Sequence, residues 1–151
     1  MTTIPHILIV EDSATIRQLL SLQLRQQGMR VTHARDGREG LKQAVAGIFD
    51  LIISDVDMPH MDGYALCEEI KKNPATRRTP VVILSSHDRE TDIDRGFQVG
   101  ASAYISKTNA REELIDTIER ILETYSFHRS RTVLVVDDSG TVRSMVTKGL
   151  D

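Results

Sequence analysis

The sequence predicts an α/β sandwich on a mostly parallel sheet, and two observations predict it. Short runs rich in Ile, Leu and Val recur between longer stretches of helical period, which is the pattern of a buried parallel sheet. Strand-like and helix-like segments also alternate five times by about Tyr125, as right-handed crossovers in one sheet require. The length of 151 residues suits about one ordinary domain, and 40% hydrophobic against 27% charged residues describes a chain that folds.

Taken in order, the strands are predicted over 7–10, 29–34, 51–54, 81–84 and 103–106. The first helix spans about 13–27 and is closed by Gly28, with Ile16, Leu19, Leu20 and Leu24 on the face built for burial. A second covers 37–46 and a third 62–72, which Asn73-Pro74 ends because proline disfavours helix in the residue before it. The fourth covers 90–99. The fifth has Asn109 as its cap, Glu112 three residues on as in a capping box, and Leu114, Ile115, Ile118, Ile121 and Leu122 along one side.

The pattern then restarts. Val133-Leu134-Val135-Val136-Asp137-Asp138-Ser139-Gly140-Thr141-Val142-Arg143 matches Ile7-Leu8-Ile9-Val10-Glu11-Asp12-Ser13-Ala14-Thr15-Ile16-Arg17 almost position for position. The expected organisation is therefore a domain over 1–125, a linker over 126–131, and over 132–151 the first strand and partial first helix of a second, truncated copy.

A net charge of −3 supplies no broad basic surface for nucleic acid or anionic lipid, so partners must be recognised locally. The single cysteine, Cys67, cannot form an internal disulfide and reads as packing beside Leu66 and Ile70. There is no signal-peptide start and no apolar run long enough for a membrane span, so the expected location is cytoplasmic, without membrane or direct nucleic-acid contact. His6, His33, His60 and His128 show no metal-ligand spacing.

Open parallel sheets bind ligands outside the carboxyl ends of their strands. After the first predicted strand come Glu11 and Asp12, after the third Asp55 and Asp57, after the fourth Ser85 and Ser86, and after the fifth Lys107. Two like charges 4 Å apart repel by roughly 4 kcal/mol at an effective dielectric constant of 20, so carboxylates gathered this way call for a counter-ion. Mg²⁺ takes oxygen ligands from one or two carboxylates plus phosphate oxygens, which suits Glu11, Asp12 and Asp55 and leaves Lys107 and Ser85 to face a phosphoryl group.

With their order and spacing, Glu11-Asp12-Ser13-x-Thr15-x-Arg17, Asp55-x-x-Met58-Pro59-x-Met61-Asp62-Gly63, Ser85, and Gly100-Ala101-x-x-Tyr104-x-x-Lys107 resemble the response-regulator receiver domain over about residues 5–125. The resemblance implies a flavodoxin-like (CheY-like) fold with strand order 2-1-3-4-5. It implies a phosphoacceptor regulatory domain rather than an enzyme, with Asp55 taking a phosphoryl group from a histidine kinase or histidine phosphotransfer protein. By the same resemblance Asp12 is a direct ligand of Mg²⁺ (Mn²⁺ is the alternative ion), Glu11 a ligand mainly through water, Asp55 nucleophile and ligand, and Asp57 a ligand through its backbone carbonyl. Lys107 pairs with Asp55 at rest and with the phosphoryl group afterwards, the Ser85 hydroxyl moves to a phosphoryl oxygen, and Tyr104 is the aromatic switch. The implied output surface is the fourth helix, fifth strand and fifth helix, with a second receiver and an effector beyond residue 151, and a dimer through that surface or through exchange of the tail strand.

The sequence departs from the family pattern in places. Thr108 follows Lys107 where proline with a cis bond is usual; a non-proline cis bond costs about 2.5–4 kcal/mol, so a trans peptide is expected here. Ser86 is larger than the common alanine and would narrow access to Asp55. Asp57 and His87 occupy the variable positions flanking the phosphoryl site, where a pair between them would tune the lifetime of an aspartyl phosphate. Two rival functions stay open: Leu51 to Asp57 also looks like the aspartate-x-aspartate motif of haloacid-dehalogenase-type phosphatases, and the domain could be a receiver-like binding module that no longer uses phosphate.

Overall fold

The structure, a computed structural model, describes residues 4–130. The chain alternates β1 (His6–Val10), α1 (Ala14–Gln26), β2 (Arg30–Ala34), α2 (Gly37–Ala46), β3 (Leu51–Asp55), α3 (Gly63–Lys72), β4 (Val81–Ser85), α4 (Glu90–Gln98), β5 (Ala103–Ser106) and α5 (Ala110–Ser130). The five strands form one parallel sheet in the order β2-β1-β3-β4-β5.

Alternate residues of each strand feed two cores. Ile7, Ile9, Leu51, Ile53, Val82, Leu84 and Ile105 pack with Leu20 and Leu24 of α1 and with Leu114, Ile118 and Ile121 of α5. On the opposite face Leu8, Val10, Ile52, Val81 and Ile83 meet Ala44 of α2 and Leu66, Cys67 and Ile70 of α3. Burying one such aliphatic side chain contributes about 1.5–3 kcal/mol, and both faces must be covered for a sheet this apolar to be stable.

Where helices begin, side chains fix the backbone. Ser13 accepts the Ile16 N–H at 3.3 Å, Asp36 the Glu39 N–H at 2.8 Å and Asp62 the Ala65 N–H at 2.8 Å. Each such cap is worth about 1 kcal/mol. Ser13 and Asp62 are thus caps rather than the helical residues the sequence suggests. Gly28 closes α1 with φ 84°, a conformation that favours glycine.

Two expectations are corrected and a third is made more specific. Leu19 is 61% exposed, because the buried face of α1 follows Leu20 and Leu24 at four-residue spacing and Leu19 falls to its side. Asn109 stands at the cap position before Ala110, as expected, and its backbone carbonyl accepts the Glu113 N–H at 3.0 Å; the side-chain contact at this turn is between the Ser106 and Thr108 hydroxyls, 2.8 Å apart. The stretch expected as a linker from residue 126 is helical as far as Ser130, as the continuation of α5. The expected second copy over 132–151, and with it tail-strand exchange, lies outside the described residues.

Candidate functional site

Every strand end predicted to carry chemistry sits at the carboxyl edge of the sheet. β1 and β3 are neighbours there, pairing Val10 with Ser54, so Glu11 and Asp12 follow one strand beside Asp55 at the end of the other. Ligand oxygens of Glu11, Asp12 and Asp55 all lie within 4.8 Å of one another. Arg17 on α1 pins the turn that carries the first two, donating from Nη1 to the Glu11 carbonyl at 2.8 Å and the Asp12 carbonyl at 3.4 Å.

Glu11 is 1% exposed. Its Oε2 accepts the Ser13 N–H at 3.1 Å, but its Oε1 is buried without a hydrogen-bond partner. Burial raises its pKa from 4.5 to about 7, helped by the charge of Asp55 and the neighbouring Asp12 and opposed by Ser13 N–H and Lys107. An orphaned carboxylate oxygen facing two more carboxylates is what a divalent cation would satisfy. The Glu11, Asp12 and Asp55 set fits Mg²⁺, with hard oxygen donors and one exposed edge, at Asp12.

Asp55 is 4% exposed, and its Oδ1 accepts from Val56 N–H at 2.8 Å and from Lys107 Nζ at 3.0 Å. Oδ2 takes neither bond. Gly63, at the start of α3, brings that helix against the Asp55 backbone: a Cβ there would lie 2.1 Å from the Asp55 carbonyl oxygen. Lys107 Nζ also stands 3.6 Å from Glu11 Oε1. Burial works against its charge, yet the hydrogen bond and charge of Asp55 together with Glu11 outweigh it and hold the ammonium above its ordinary pKa.

Lys107 reaches this position with Thr108 after it and no cis peptide among the described residues. Its N–H bonds the Ser85 carbonyl at 2.8 Å, tying the ends of β5 and β4 together. The fully buried Ser85 hydroxyl accepts the His87 N–H at 2.9 Å and is not bonded to Asp55. Asp57 Oδ2 and His87 Nε2 are 2.7 Å apart on the exposed rim. Tyr104 donates its hydroxyl to the His87 carbonyl at 2.6 Å.

A family model of the response regulator receiver domain matches residues 7–119. The chain belongs to the response regulator receiver family. This receiver is 34% identical over 120 residues to Protein PilG of Pseudomonas aeruginosa, covering 80% of this chain and 89% of PilG. It is 35% identical over 140 residues to the transcriptional activator protein PfeR of the same organism, covering 89% of this chain but 45% of PfeR, so the receiver spans less than half of that relative. Among solved structures it resembles the receiver domain of a Pseudomonas aeruginosa sensor histidine kinase, which holds a magnesium ion coordinated in its active-site cleft, at 31% identity and a TM-score of 0.71, covering 82% of this chain and 98% of that one. It is thus a receiver domain of two-component signalling with an acidic pocket suited to Mg²⁺, and no helix among its described residues is long and apolar enough to cross a membrane.

The sequence missed two contributors. Arg17 stands in the first motif but shows its role only through its carbonyl contacts. Tyr64, directly after Gly63, reads as an ordinary helix residue, and nothing in the spacing announces that its hydroxyl meets that of Tyr104.

Proposed function

We propose that Asp55 accepts a phosphoryl group from the phosphohistidine of a kinase or phosphotransfer protein, in a step that needs a divalent cation, and that this switches the surface of α4, β5 and α5. The observation that carries this reading is the Lys107 ammonium 3.0 Å from Asp55 Oδ1, beside an acidic trio in which Glu11 and Asp55 are buried, Asp12 is exposed and one Glu11 oxygen is orphaned. A carboxylate oxygen of Asp55 forms the new O–P bond as the donor's P–N bond breaks, and the leaving imidazole keeps the electron pair and takes a proton. A Mg²⁺ ion held by Glu11, Asp12 and Asp55, with the Asp57 carbonyl, would supply neutralising charge to the phosphoryl oxygens.

Lys107, already poised, pairs with the added charge. Ser85 Oγ accepts the His87 N–H and has its own hydrogen to offer, and swinging the hydroxyl toward a phosphoryl oxygen would exchange the first contact for the second. That exchange frees the His87 backbone, whose carbonyl holds Tyr104, so a change at the phosphoryl group reaches β5 through one short segment. Contacts made in one state and not the other are what shift a conformational equilibrium. Turnover is one phosphoryl group per chain, as suits a regulatory phosphoacceptor; the Asp57 carboxylate, turned to His87, gives the phosphatase alternative no support.

We extend the reading to organisation: residues 1–125 as the receiver, with the repeated motif after residue 131 as the start of a second one feeding an effector. To test the acceptor, the chain is incubated with phosphoramidate, which carries the same P–N bond as phosphohistidine, and its intact mass is measured. One added phosphoryl group is expected with Mg²⁺, and none with EDTA or in Asp55→Asn. Addition that survives Asp55→Asn would place the acceptor elsewhere.

A further inference from the structure

Tyr64 lies in the first turn of α3 and is 5% exposed, yet it touches two other elements. Its hydroxyl is 3.2 Å from the Asp92 carbonyl of α4 and 3.1 Å from the Tyr104 hydroxyl of β5. The guanidinium of Arg95, also on α4, sits 4.3 Å above its ring centroid. Tyr104 in turn lies on Gly96, where a Cβ would come within 2.6 Å of its ring.

The hydrogens can be counted. A carbonyl only accepts, so Tyr104 gives its hydroxyl hydrogen to His87, and Tyr64 has one hydrogen for both Asp92 and Tyr104. Two hydrogens thus serve three oxygen contacts, and the Tyr64 hydrogen is what bridges α4 to the aromatic on β5. Burial, and then the bond to Tyr104, raise the Tyr64 pKa, so Tyr64 acts through its hydroxyl hydrogen rather than by ionising.

We propose that Tyr64 is a positioning residue for the switch: its hydroxyl holds Tyr104 against Gly96 and the His87 carbonyl in the unphosphorylated domain, and sets how strongly α4 follows the segment from Ser85 to His87. This rests on the reading of Asp55 as phosphoacceptor. Without the Tyr64 hydroxyl, Tyr104 keeps a single bond to His87 and its ring swings outward more often. Losing one neutral hydrogen bond corresponds to about a fivefold change in the ratio of the two positions.

The test compares the whole chain with Tyr64→Phe, which keeps the ring and its packing, and with Arg95→Ala, which keeps both hydroxyls. The first readout is the NMR cross-relaxation between the Tyr104 ring and Gly96 Hα in metal-free protein; the second is the amide shifts of α4 on adding Mg²⁺ and beryllium fluoride. Tyr64→Phe is expected to raise the outward fraction of Tyr104 about fivefold and to alter the α4 response, with the Mg²⁺ midpoint unchanged. Arg95→Ala is expected to keep the Tyr104–Gly96 contact. A contact and α4 response in Tyr64→Phe equal to wild type would overturn the proposal. If wild type itself ignores Mg²⁺ and beryllium fluoride, the phosphoacceptor reading fails, and the metal-free contact still decides whether Tyr64 holds Tyr104. Should Tyr64→Phe fold poorly, its stability effect is measured again in Tyr104→Phe: coupled hydroxyls make the effect smaller there, and an equal effect overturns the proposal.

Discussion

Two clusters stand on either side of the short segment from Ser85 to His87, and they are built on opposite principles. The pocket of Glu11, Asp12, Asp55 and Lys107 is charged, largely buried and short of partners. The cluster of Tyr64, Tyr104 and the Asp92 and His87 carbonyls is made of hydroxyls and backbone oxygens held by hydrogen bonds. The pocket can respond strongly to a cation or a phosphoryl group, because buried charge is costly until it is compensated. The tyrosine cluster has no such stake and can pass on a change of geometry at small free-energy cost. In the function proposed above, sensing and transmission would occupy separate side chains joined by one backbone segment.

The sharpest way to break this contrast is Lys107→Ala. It removes the cation nearest Asp55, and the rate of phosphorylation by phosphoramidate should fall about a hundredfold, read from intact mass against time. A change smaller than about threefold would mean that the ammonium 3.0 Å from Asp55 is a resting partner only.

A moderate effect is expected from acidity in the metal-free protein. Glu11 loses its proton near 4.5 in the unfolded chain but near 7 when folded, so the folded state binds more protons between those values and stability falls as pH rises from 4.5 to about 7. In Glu11→Gln this loss is absent, and the variant should gain on wild type across that window in urea unfolding with EDTA. His33 runs the other way: burial, then Arg17 and Arg25, lower its pKa, so its contribution is lost as pH falls below 6.5. It is common to both proteins and cancels in the difference. A constant difference across pH 4.5 to 7 would show that Glu11 is not held protonated.

The smallest effect belongs to the exposed rim. Asp57→Ala and His87→Ala should each change the dephosphorylation rate only a few fold, because the pair lies on the exposed rim and is well solvated. Unchanged rates in both variants would reduce the pair to two solvated side chains.

Much of this was legible in the sequence. Buried strands announce themselves as Ile, Leu and Val runs, and the bounds of α2 and β5 follow directly from it. The pocket was legible because parallel strands deliver the residues after them to one edge, so Glu11, Asp12, Asp55, Ser85 and Lys107 converge whatever the helices do. What stayed hidden depends on rotation and on hydroxyl partners. Leu19 satisfies a helical spacing and still faces outward, and the hydroxyl contact between Ser106 and Thr108 that precedes the Asn109 cap shows in no spacing. Tyr64 gives no sequence signal, because a tyrosine after a helix-opening glycine is packing in most settings, and only its oxygen contacts mark it out.

The central claim is that one segment couples the charged pocket to the tyrosine cluster. It is tested most directly by a single set of backbone amide spectra, recorded with Mg²⁺ and then beryllium fluoride, a mimic of aspartyl phosphate, for wild type and Asp55→Asn. The account predicts shifts that need both Mg²⁺ and Asp55 and run from Asp12 and Asp55 through Ser85 and His87 to Tyr64, Tyr104 and α4. Shifts confined to the residues around Asp55, with Tyr104 and α4 unmoved, would contradict it.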